Sequence, residues 1–430
     1  MTDIDLTGHW AGIASVVIFV VAYVLVILEE NTAMRKSAPV MLAAGLIWVL
    51  IGVAFALHGQ PEVAHGQALR VVEEYGELFL FLLVAITYVN TLEERRAFEV
   101  LRGALVGRGL SYRQLFLLTG GLSFFLSAVL DNMTTALVMG AVVVALGRAS
   151  QRFVVLGCIS VVVAANAGGA FSPFGDITTL MVWQKGKMGF FQFFALFLPA
   201  LVNWAVPAAC IYLAVPLGQP LPHPERIVAK PGMWGVVMLF ALTIVTAVAF
   251  KNFLNLPPAL GMMLGLGYLQ VYAYFLSRGA EEDMVLDSFA QVQRVEWDTL
   301  LFFFGIIFAV GGLGVLGYLA WASEALYGGL GPTSANVIIG GMSAVVDNIP
   351  LMFAVLTMDP AMSDGQWLLI TLTAGVGGSI LSIGSAAGVA LMGQARGVYT
   401  FSSHLKWSWA VGLGYGASIL VHLWVNAALF

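Results

Sequence analysis

Two Asp-Asn pairs, each inside a long apolar run, are the residues of this sequence best suited to chemistry. The sequence Ser-Ala-Val-Leu-Asp-Asn ends at Asp131-Asn132 and returns as Ser-Ala-Val-Val-Asp-Asn, ending at Asp347-Asn348. An ionisable side chain in a membrane segment is costly and is by default a functional-site hypothesis. Because the pair occurs in both halves of the chain, we expect the two aspartates to belong to one site.

Side chains with oxygen atoms near the two pairs are candidates to bind a cation with them. Hard cations such as Na⁺ and Li⁺ prefer oxygen ligands, and soft sulfur ligands are missing here. A carboxylate in apolar surroundings gains a proton readily and loses it when a cation binds, so one group can serve both ions in exchange. The predicted Na⁺ ligands are Asp131, Asp347, Asn132 and Asn348; further candidates for ion or proton binding are Thr134, Thr135, Asn166, Ser172, Asp176, Ser382 and Ser385.

A Gly-rich stretch also occurs twice, since residues 168–176 align without gaps on residues 377–385. Asp176 faces Ser385 in this alignment, and the missing second acid makes Asp176 a separate candidate for the proton or cation. Glycine and proline here predict interrupted helices, whose free backbone groups are tolerated at membrane depth only in a protein interior or polar cavity. Close helix packing is the alternative role of such glycines. The predicted helix-break residues are Gly168, Gly169, Pro173, Gly175, Pro350, Gly377, Gly378 and Gly384.

The composition predicts the helical, polytopic membrane class that these breaks require. Of the 430 residues, 60% are hydrophobic and 10% are charged, whereas soluble domains carry about a quarter charged residues. The apolar runs are continuous and long enough to cross a roughly 30 Å hydrocarbon core as helix. The start of the chain is acidic, so no cleavable signal peptide is expected. The predicted apolar runs are 10–28, 40–57, 76–92, 115–146, 153–183, 190–216, 234–250, 253–276, 298–322, 333–357, 367–393 and 407–429.

Lysine and arginine positions predict how these runs are oriented, because such residues are enriched in cytoplasmic loops. The runs 115–146 and 333–357 each have like-charged flanks, so we expect re-entrant hairpins that enter from opposite faces. With both termini outside, loop 58–75 is external and loop 93–114 is cytoplasmic. The Lys and Arg residues then predicted outside, of 19 in all, are Arg70, Lys185, Lys187 and Lys251.

The resulting order of segments predicts two inverted repeats joined by a cytoplasmic linker at 217–233. Repeat 1 (1–216) has three spans, hairpin 115–146, broken helix 153–183 and span 190–216. Repeat 2 (234–430) has three spans, hairpin 333–357, broken helix 367–393 and span 407–429. Inverted repeats with matching helix breaks are typical of secondary transporters. Of the two late histidines, His404 is expected in or near a loop and His422 packed inside the last span.

The motifs now assembled resemble those of the NhaD-type sodium/proton antiporters in the ion transporter superfamily. The resemblance rests on residues 130–135, 166–176, 346–352 and 377–379 and spans essentially the whole chain. It implies exchange of Na⁺ or Li⁺ for H⁺ in a bacterial inner membrane. It also implies a homodimer, embedded in lipid, with a scaffold part and a mobile transport part. Neither a resident cofactor nor a nucleic-acid partner is expected.

Other functions remain open at this stage. The superfamily includes arsenite or other oxyanion carriers and dicarboxylate carriers, but the acidic Asp131 and Asp347 disfavour an anion. An intramembrane aspartyl protease would also use two membrane acids that share a proton. Its Gly-x-Gly-Asp motif has only the partial match Pro-Phe-Gly-Asp ending at Asp176, so an enzyme is not expected. A channel fits an occluded hairpin-tip site less well than alternating access does.

Overall fold

A computed structural model describes residues 5–32, 34–106, 109–220, 228–278 and 285–430 of the chain. Within these ranges the secondary structure is helical and contains no strand. Nine of the described helices are long and apolar enough to cross a membrane. The polytopic helical class predicted from composition is therefore confirmed. Residues 221–227 of the predicted linker lie outside the described part.

The helices of the first half end at Tyr212, and most coincide with predicted apolar runs. Their bounds are α1 Trp10–Ile27, α2 Glu29–Thr32, α3 Ser37–Leu57, α4 Pro61–Glu94, α5 Ala97–Val106, α6 Tyr112–Ser127, α7 Asn132–Leu146, α8 Gln151–Ala170, α9 Ile177–Gln184, a 3₁₀ helix at Phe190–Leu196 and α10 Phe197–Tyr212.

The helices of the second half follow a similar order. Their bounds are α11 Met233–Leu254, α12 Pro258–Ser277, α13 Ser288–Gln293, α14 Trp297–Val315, α15 Tyr318–Ser323, a π-helical turn at Glu324–Gly328, α16 Pro332–Met342, α17 Asn348–Met358, α18 Asp364–Gly377, α19 Ala386–Gln394, α20 Phe401–Leu405, α21 Ser408–Val425 and a 3₁₀ turn at Ala427–Leu429.

Four of the predicted runs are interrupted where the sequence predicts a break. Runs 115–146 and 333–357 divide into α6/α7 and α16/α17, with the Asp-Asn pairs at the start of each second helix. Runs 153–183 and 367–393 divide into α8/α9 and α18/α19. We call residues 171–176 break 1 and residues 378–385 break 2. Their entry into the membrane from opposite faces stays a prediction.

Two predicted boundaries are wrong. Helix α4 begins at Pro61 and has 34 residues, so most of the predicted external loop 58–75 is helical. Its Glu, Gln, Ala and Leu residues are good helix formers although they are not apolar enough to be read as a span. The predicted span 298–322 is two helices, because the chain turns at Gly317, whose φ of 101° suits glycine.

The predicted cytoplasmic loop 93–114 is also more structured than expected. This loop contains helix α5, and Arg95, which precedes that helix, is fully buried. The Arg95 guanidinium lies 2.7 Å from the Glu94 carboxylate and donates to the Pro231 carbonyl at 3.2 Å. Lys230 contacts the other Glu94 oxygen at 2.8 Å. A buried charge is stable only when paired and hydrogen-bonded in this way.

Contacts divide the described chain into two compact units. Unit 1 comprises the described parts of Met1–Thr91, Trp234–Gly329 and Phe353–Pro360. Unit 2 comprises those of Leu92–Met233, Leu330–Met352 and Ala361–Phe430. Each unit takes segments from both halves of the sequence, so the division differs from the predicted repeats, whose boundaries stay a prediction.

Unit 1 is held by polar contacts between otherwise apolar helices. The Trp48 indole of α3 donates to the Phe308 carbonyl of α14 at 3.0 Å. The Tyr88 hydroxyl of α4 donates to the Gly265 carbonyl of α12 at 2.7 Å and accepts from Thr243 of α11 at 3.0 Å. These hydrogen bonds fix the relative positions of its long helices.

Unit 2 is built around two helices that are buried on all sides. Every residue of α8 from Leu156 to Ala170 is buried, and so is every residue of α18 from Gly365 to Gly377. Break 1 directly follows α8 and break 2 directly follows α18, so each break begins at the end of a buried helix. The same unit contains both Asp-Asn pairs.

Candidate functional site

Three candidate residues cap helices that begin where a predicted run is interrupted, one at the first hairpin turn and one at each break. Asp131 caps α7 by accepting from the Thr134 backbone N–H at 2.8 Å, and Asp176 caps α9 by accepting from the Thr178 N–H at 2.9 Å. Ser385 caps α19 in the same way. Asp and Ser are strongly preferred at this position because they satisfy N–H groups that lack an intrahelical partner. The local sequence therefore fixes where each of these side chains stands.

A chain of neutral side chains joins the first Asp-Asn pair to break 2. The Asn132 amide donates to the Asn166 carbonyl oxygen Oδ1 at 3.1 Å. The Asn166 amide donates in turn to Ser385 Oγ at 3.1 Å and to the Val162 carbonyl at 3.0 Å. Asn166 is fully buried in α8, so it links α7, α8 and the start of α19. The structure thus brings three sequence-predicted residues together.

The second Asp-Asn pair meets break 1 through Asp176. The Asn348 amide Nδ2 lies 3.4 Å and 3.2 Å from the two carboxylate oxygens of Asp176. The Thr178 hydroxyl also donates to Asp176 at 2.8 Å. Asp347 directly precedes Asn348 in the sequence, so a second acid belongs to the segment that contacts Asp176. Asp176 is 4% exposed, which makes it an enclosed carboxylate with a second acid nearby.

The two halves differ at matched positions in a way that explains why Asp176 has no acidic counterpart. In the alignment of the breaks, Asn166 corresponds to Gly375 and Asp176 corresponds to Ser385. A Cβ atom added to Gly375 would lie 3.5 Å from Asp176 Oδ2. The large Asn166 side chain therefore lies beside the small Ser385 hydroxyl, whereas Gly375, which has no side chain, lies beside the Asp176 carboxylate. Any side chain at residue 375 would therefore contact the Asp176 carboxylate.

Matched glycine contacts hold the two broken helices against the hairpin helices. A side chain on Gly168 would collide with the Phe124 carbonyl, and one on Gly377 would collide with the Gly340 carbonyl. Both glycines lie at helix ends and serve close packing, the alternative role considered above. Gly169 and Gly378 pack in turn on the carbonyls of Gly175 and Gly384, and those two glycines pack on the hairpin backbone.

The hairpin helices are also hydrogen-bonded to the broken helices at matched positions. The Ser127 hydroxyl donates to the Ala165 carbonyl at 2.6 Å, and the Ser343 hydroxyl donates to the Ala374 carbonyl at 3.0 Å. The sequence analysis missed both serines. Their signal was available, since each opens the repeated Ser-Ala-Val sequence before an Asp-Asn pair.

The remaining predicted residues are placed less centrally. Both Asp131 oxygens accept hydrogen bonds from Thr134, which makes Thr134 a partner of the cap. Ser172 accepts from the Phe174 N–H at 3.3 Å within break 1, and Ser382 donates to the Met392 sulfur at 3.3 Å. These contacts account for the two serine hydroxyls locally.

Two predicted helix-break residues have different positions in the structure. Pro173 lies inside break 1, as expected. Pro350 lies in the first turn of α17, where the missing N–H of proline costs little, so it does not interrupt a helix. The break in this run precedes Asn348.

Thr135 has the donor and acceptor capacity that a site for a small ion requires. Its side chain is fully buried, and its Oγ1 has no hydrogen-bond partner among the described residues. A buried hydroxyl without a partner is costly unless something absent from the protein chain satisfies it. A hydroxyl oxygen is the kind of ligand that a hard cation prefers, so Thr135 stays a predicted ligand.

The comparisons with known proteins agree with this chemistry. A family model described as "Citrate transporter" matches residues 16–375. The chain is 54% identical over 450 residues to "Na(+)/H(+) antiporter NhaD" of Alkalimonas amylolytica, covering 99% of this chain and 93% of that protein. It is 50% identical to the protein of the same name in Vibrio cholerae, with coverage of 99% and 94%. "Sodium/proton antiporter 1" of Arabidopsis thaliana is 34% identical, with coverage of 96% and 72%.

These relatives are transporters, not enzymes, and the match runs along the whole chain. The protease considered above is therefore set aside. The resemblance inferred from the Asp-Asn motifs is confirmed by identities of 50% and more over nearly the full length of both proteins. This chain belongs to the NhaD family of sodium/proton antiporters, within the broader transporter family that the citrate-transporter model describes.

Proposed function

We propose that this protein exchanges Na⁺ or Li⁺ for H⁺ across a membrane, with the cation and the proton competing for the carboxylate of Asp176. The observation that carries the proposal is the enclosed Asp176, held by Asn348 from the other half of the sequence. A buried carboxylate with an acid nearby cannot keep its charge without a counter-ion. A proton or a small cation supplies that counter-ion, one at a time.

Asp347 and the neutral oxygens complete the proposed cation site. Asp347 adds the second carboxylate, and the unpartnered Thr135 hydroxyl adds a neutral ligand. The hydrogen-bonded chain from Asn132 through Asn166 to Ser385 ties α7 and α8 to the start of α19. Binding of an ion is thereby coupled to the helices around both breaks, as alternating access requires.

The division into two units supports a transport cycle in which unit 2 moves as a body. Unit 2 contains both Asp-Asn pairs, both breaks and every proposed ligand, whereas unit 1 consists mainly of the first three long helices of each half. The resemblance described above implies a scaffold part and a mobile transport part. We therefore propose that the hairpins and broken helices move against the long helices of unit 1 in an elevator or rocking motion.

Citrate or another anion is the second candidate substrate, because of the family model that matches the chain. The acidic side chains argue against it, since Asp176 and Asp347 would repel a carboxylate substrate. The experiment therefore includes an anion arm.

The decisive experiment measures ion-driven proton movement in proteoliposomes loaded with a pH-sensitive dye. Addition of NaCl or LiCl to the wild-type protein should move protons, and addition of citrate should not. Asp176→Asn keeps the shape and the Thr178 hydrogen bond but removes the charge. We expect Na⁺-dependent proton movement to fall to the level of protein-free liposomes.

The matched control is Asp364→Asn. Asp364 is exposed and accepts a hydrogen bond from Gln192 at 2.9 Å, so its neutralisation should leave exchange unchanged. Absence of proton movement when Na⁺ or Li⁺ is added to the wild-type protein would overturn the proposed function. Full activity in Asp176→Asn would remove Asp176 from the site.

A further inference from the structure

A buried histidine outside the proposed cation site contacts one of the breaks. His404 lies in the short helix α20 and is fully buried. Its Nε2 lies 3.0 Å from the Ser379 carbonyl oxygen, and its Nδ1 lies 2.7 Å from the Tyr399 hydroxyl. The sequence placed His404 in or near a loop, and the structure adds that the side chain is buried in a five-residue helix. Helix α20 lies against α8 and α21.

The two partners of His404 determine which ring nitrogen carries the proton. A carbonyl oxygen can only accept, so Nε2 must be the donor to Ser379. Nδ1 of the neutral ring is then an acceptor, and the Tyr399 hydroxyl donates to it. This arrangement uses every hydrogen-bonding position of a neutral imidazole. His404 is therefore set to act as a donor to break 2.

Break 2 needs such donors because its backbone has left the helical hydrogen-bond pattern. Carbonyl groups freed by an interrupted helix must find partners when no water surrounds them. The Ser379 carbonyl is served by His404, and the next carbonyl, that of Ile380, accepts from the Ser408 hydroxyl at 2.7 Å. Helices α20 and α21 therefore both hold the start of break 2.

Comparison with break 1 shows why the donor comes from a separate helix. Ala170 corresponds to Ser379 in the alignment of the breaks, and its carbonyl accepts from the Thr179 hydroxyl at 3.4 Å. The residue that corresponds to Thr179 is Gly388, which has no side chain. A side chain at Gly388 would collide with the Ser382 carbonyl. The second half thus cannot supply the donor locally, and His404 takes that role.

We propose that His404 is a positioning residue for the cation site, which fixes break 2 through the Ser379 carbonyl and so holds Ser385 against Asn166. It does not touch the ion. The inference rests on the proposed function, because Ser385 matters for exchange only if the chain of Asn132, Asn166 and Ser385 belongs to the site. Release of the Ser379 carbonyl should loosen break 2 and weaken cation binding more than it slows the cycle.

The test compares two amide substitutions that differ in reach. In His404→Gln the side-chain amide takes the place of Nε2 and can donate to Ser379. In His404→Asn the amide takes the place of Nδ1 and ends short of Ser379. We expect His404→Asn to raise the apparent KM for Na⁺ roughly three- to tenfold, the effect of one lost neutral hydrogen bond. His404→Gln should stay near the wild-type value, and the maximal rate should change little in both.

The matched control is His422→Asn. His422 is equally buried and lies 2.9 Å from the Gly365 carbonyl through its own Nε2, at the opposite end of α18 from break 2. Loss of that hydrogen bond should leave the KM for Na⁺ unchanged. An equal rise in His422→Asn would show a general packing effect and would overturn the proposal. An unchanged KM in His404→Asn would do the same.

Hydrogen exchange separates this inference from the proposed function. Amides of residues 378–388 should exchange faster in His404→Asn than in wild-type protein, His404→Gln or His422→Asn, measured by mass spectrometry. Unchanged exchange there would overturn the positioning role whatever ion is carried. A different result would reject the exchange function alone: wild-type protein moves no protons on addition of Na⁺, but the amides of residues 378–388 still exchange faster in His404→Asn. The role of His404 in holding break 2 would then stand.

Discussion

Asp176 combines the properties that competition between a cation and a proton requires. It is enclosed, it receives hydrogen bonds from Thr178 and Asn348, and Asp347 directly precedes Asn348 in the sequence. Hydrogen-bond donors favour its charged form, whereas burial and the nearby acid favour its neutral form. In the proposed exchange, the balance between these effects would let one carboxylate bind the proton and the cation in turn. A carboxylate with only one of these influences would stay either charged or protonated.

Gly375 should control the size of the ion that Asp176 accepts. A methyl group in Gly375→Ala would lie 3.5 Å from Asp176 Oδ2 and 3.1 Å from the Ala170 methyl group, which narrows the space beside the carboxylate. We expect the apparent KM for Na⁺ to rise up to about tenfold, or ~1.4 kcal/mol. Li⁺ is smaller, so its KM should rise less. Proteoliposome assays with the two salts measure the ratio.

Gly341→Ala is the control for this substitution, because a Cβ added there meets nothing within 4 Å. It should leave both KM values unchanged. Equal rises for Na⁺ and Li⁺ in Gly375→Ala would show that residue 375 affects packing alone and does not select the ion.

At the scale of helices, the breaks could be predicted because their causes are local. Asp131, Asp176 and Ser385 are good helix-cap residues, the last two directly after a glycine, and each caps the start of a helix in the structure. The start of α4 could not be found from apolar runs, since its first turns are polar. Hydropathy detects lipid contact, and a helix that extends beyond the membrane core gives no such signal.

The pairings across the two halves were beyond the sequence for a different reason. That Asn348 meets Asp176, and that Asn166 meets Ser385, depends on how four helix ends pack together. The sequence supplied candidate ligands without their partners. The burial of His404 and its contact with the Ser379 carbonyl could not be predicted either, because a polar residue near charged ones in the sequence gives no sign of an interior position.

The close packing of broken helices on hairpin helices should make Gly377 indispensable for stability. A methyl group at Gly377 would collide with the Gly340 carbonyl, which belongs to the backbone and cannot rotate away. We expect Gly377→Ala to lower the free energy of unfolding by about 1–3 kcal/mol, the usual cost of overpacking. Thermal unfolding in detergent measures the loss. Gly341→Ala again provides the control, and equal midpoints for the two variants would contradict the tight contact.

At the scale of the whole molecule, two of the points where the chain passes between units lie near a cluster of ion-paired side chains. Two of the crossings, at residues 91–92 and 233–234, are within a few residues of Glu94, Arg95 and Lys230. These three side chains are paired with one another inside unit 2, and the Lys230 N–H also donates to the Arg95 carbonyl. Both connections therefore enter unit 2 beside the same ion-paired side chains. Such a fixed attachment would let the proposed movement of unit 2 as a body proceed without distorting it.

Movement of unit 2 as a body can be tested with pairs of spin labels on exposed residues. Leu57 and Phe253 lie in unit 1, and Leu213 and Trp424 lie in unit 2. Labels at 57 and 253, or at 213 and 424, should keep their distance when Na⁺ replaces H⁺, because each pair belongs to one unit. Labels at 57 and 213 should change distance by several ångströms. Double electron–electron resonance, in a variant without the native cysteines, measures all three distances. A change in the 213–424 distance as large as the change in the 57–213 distance would contradict the proposed motion.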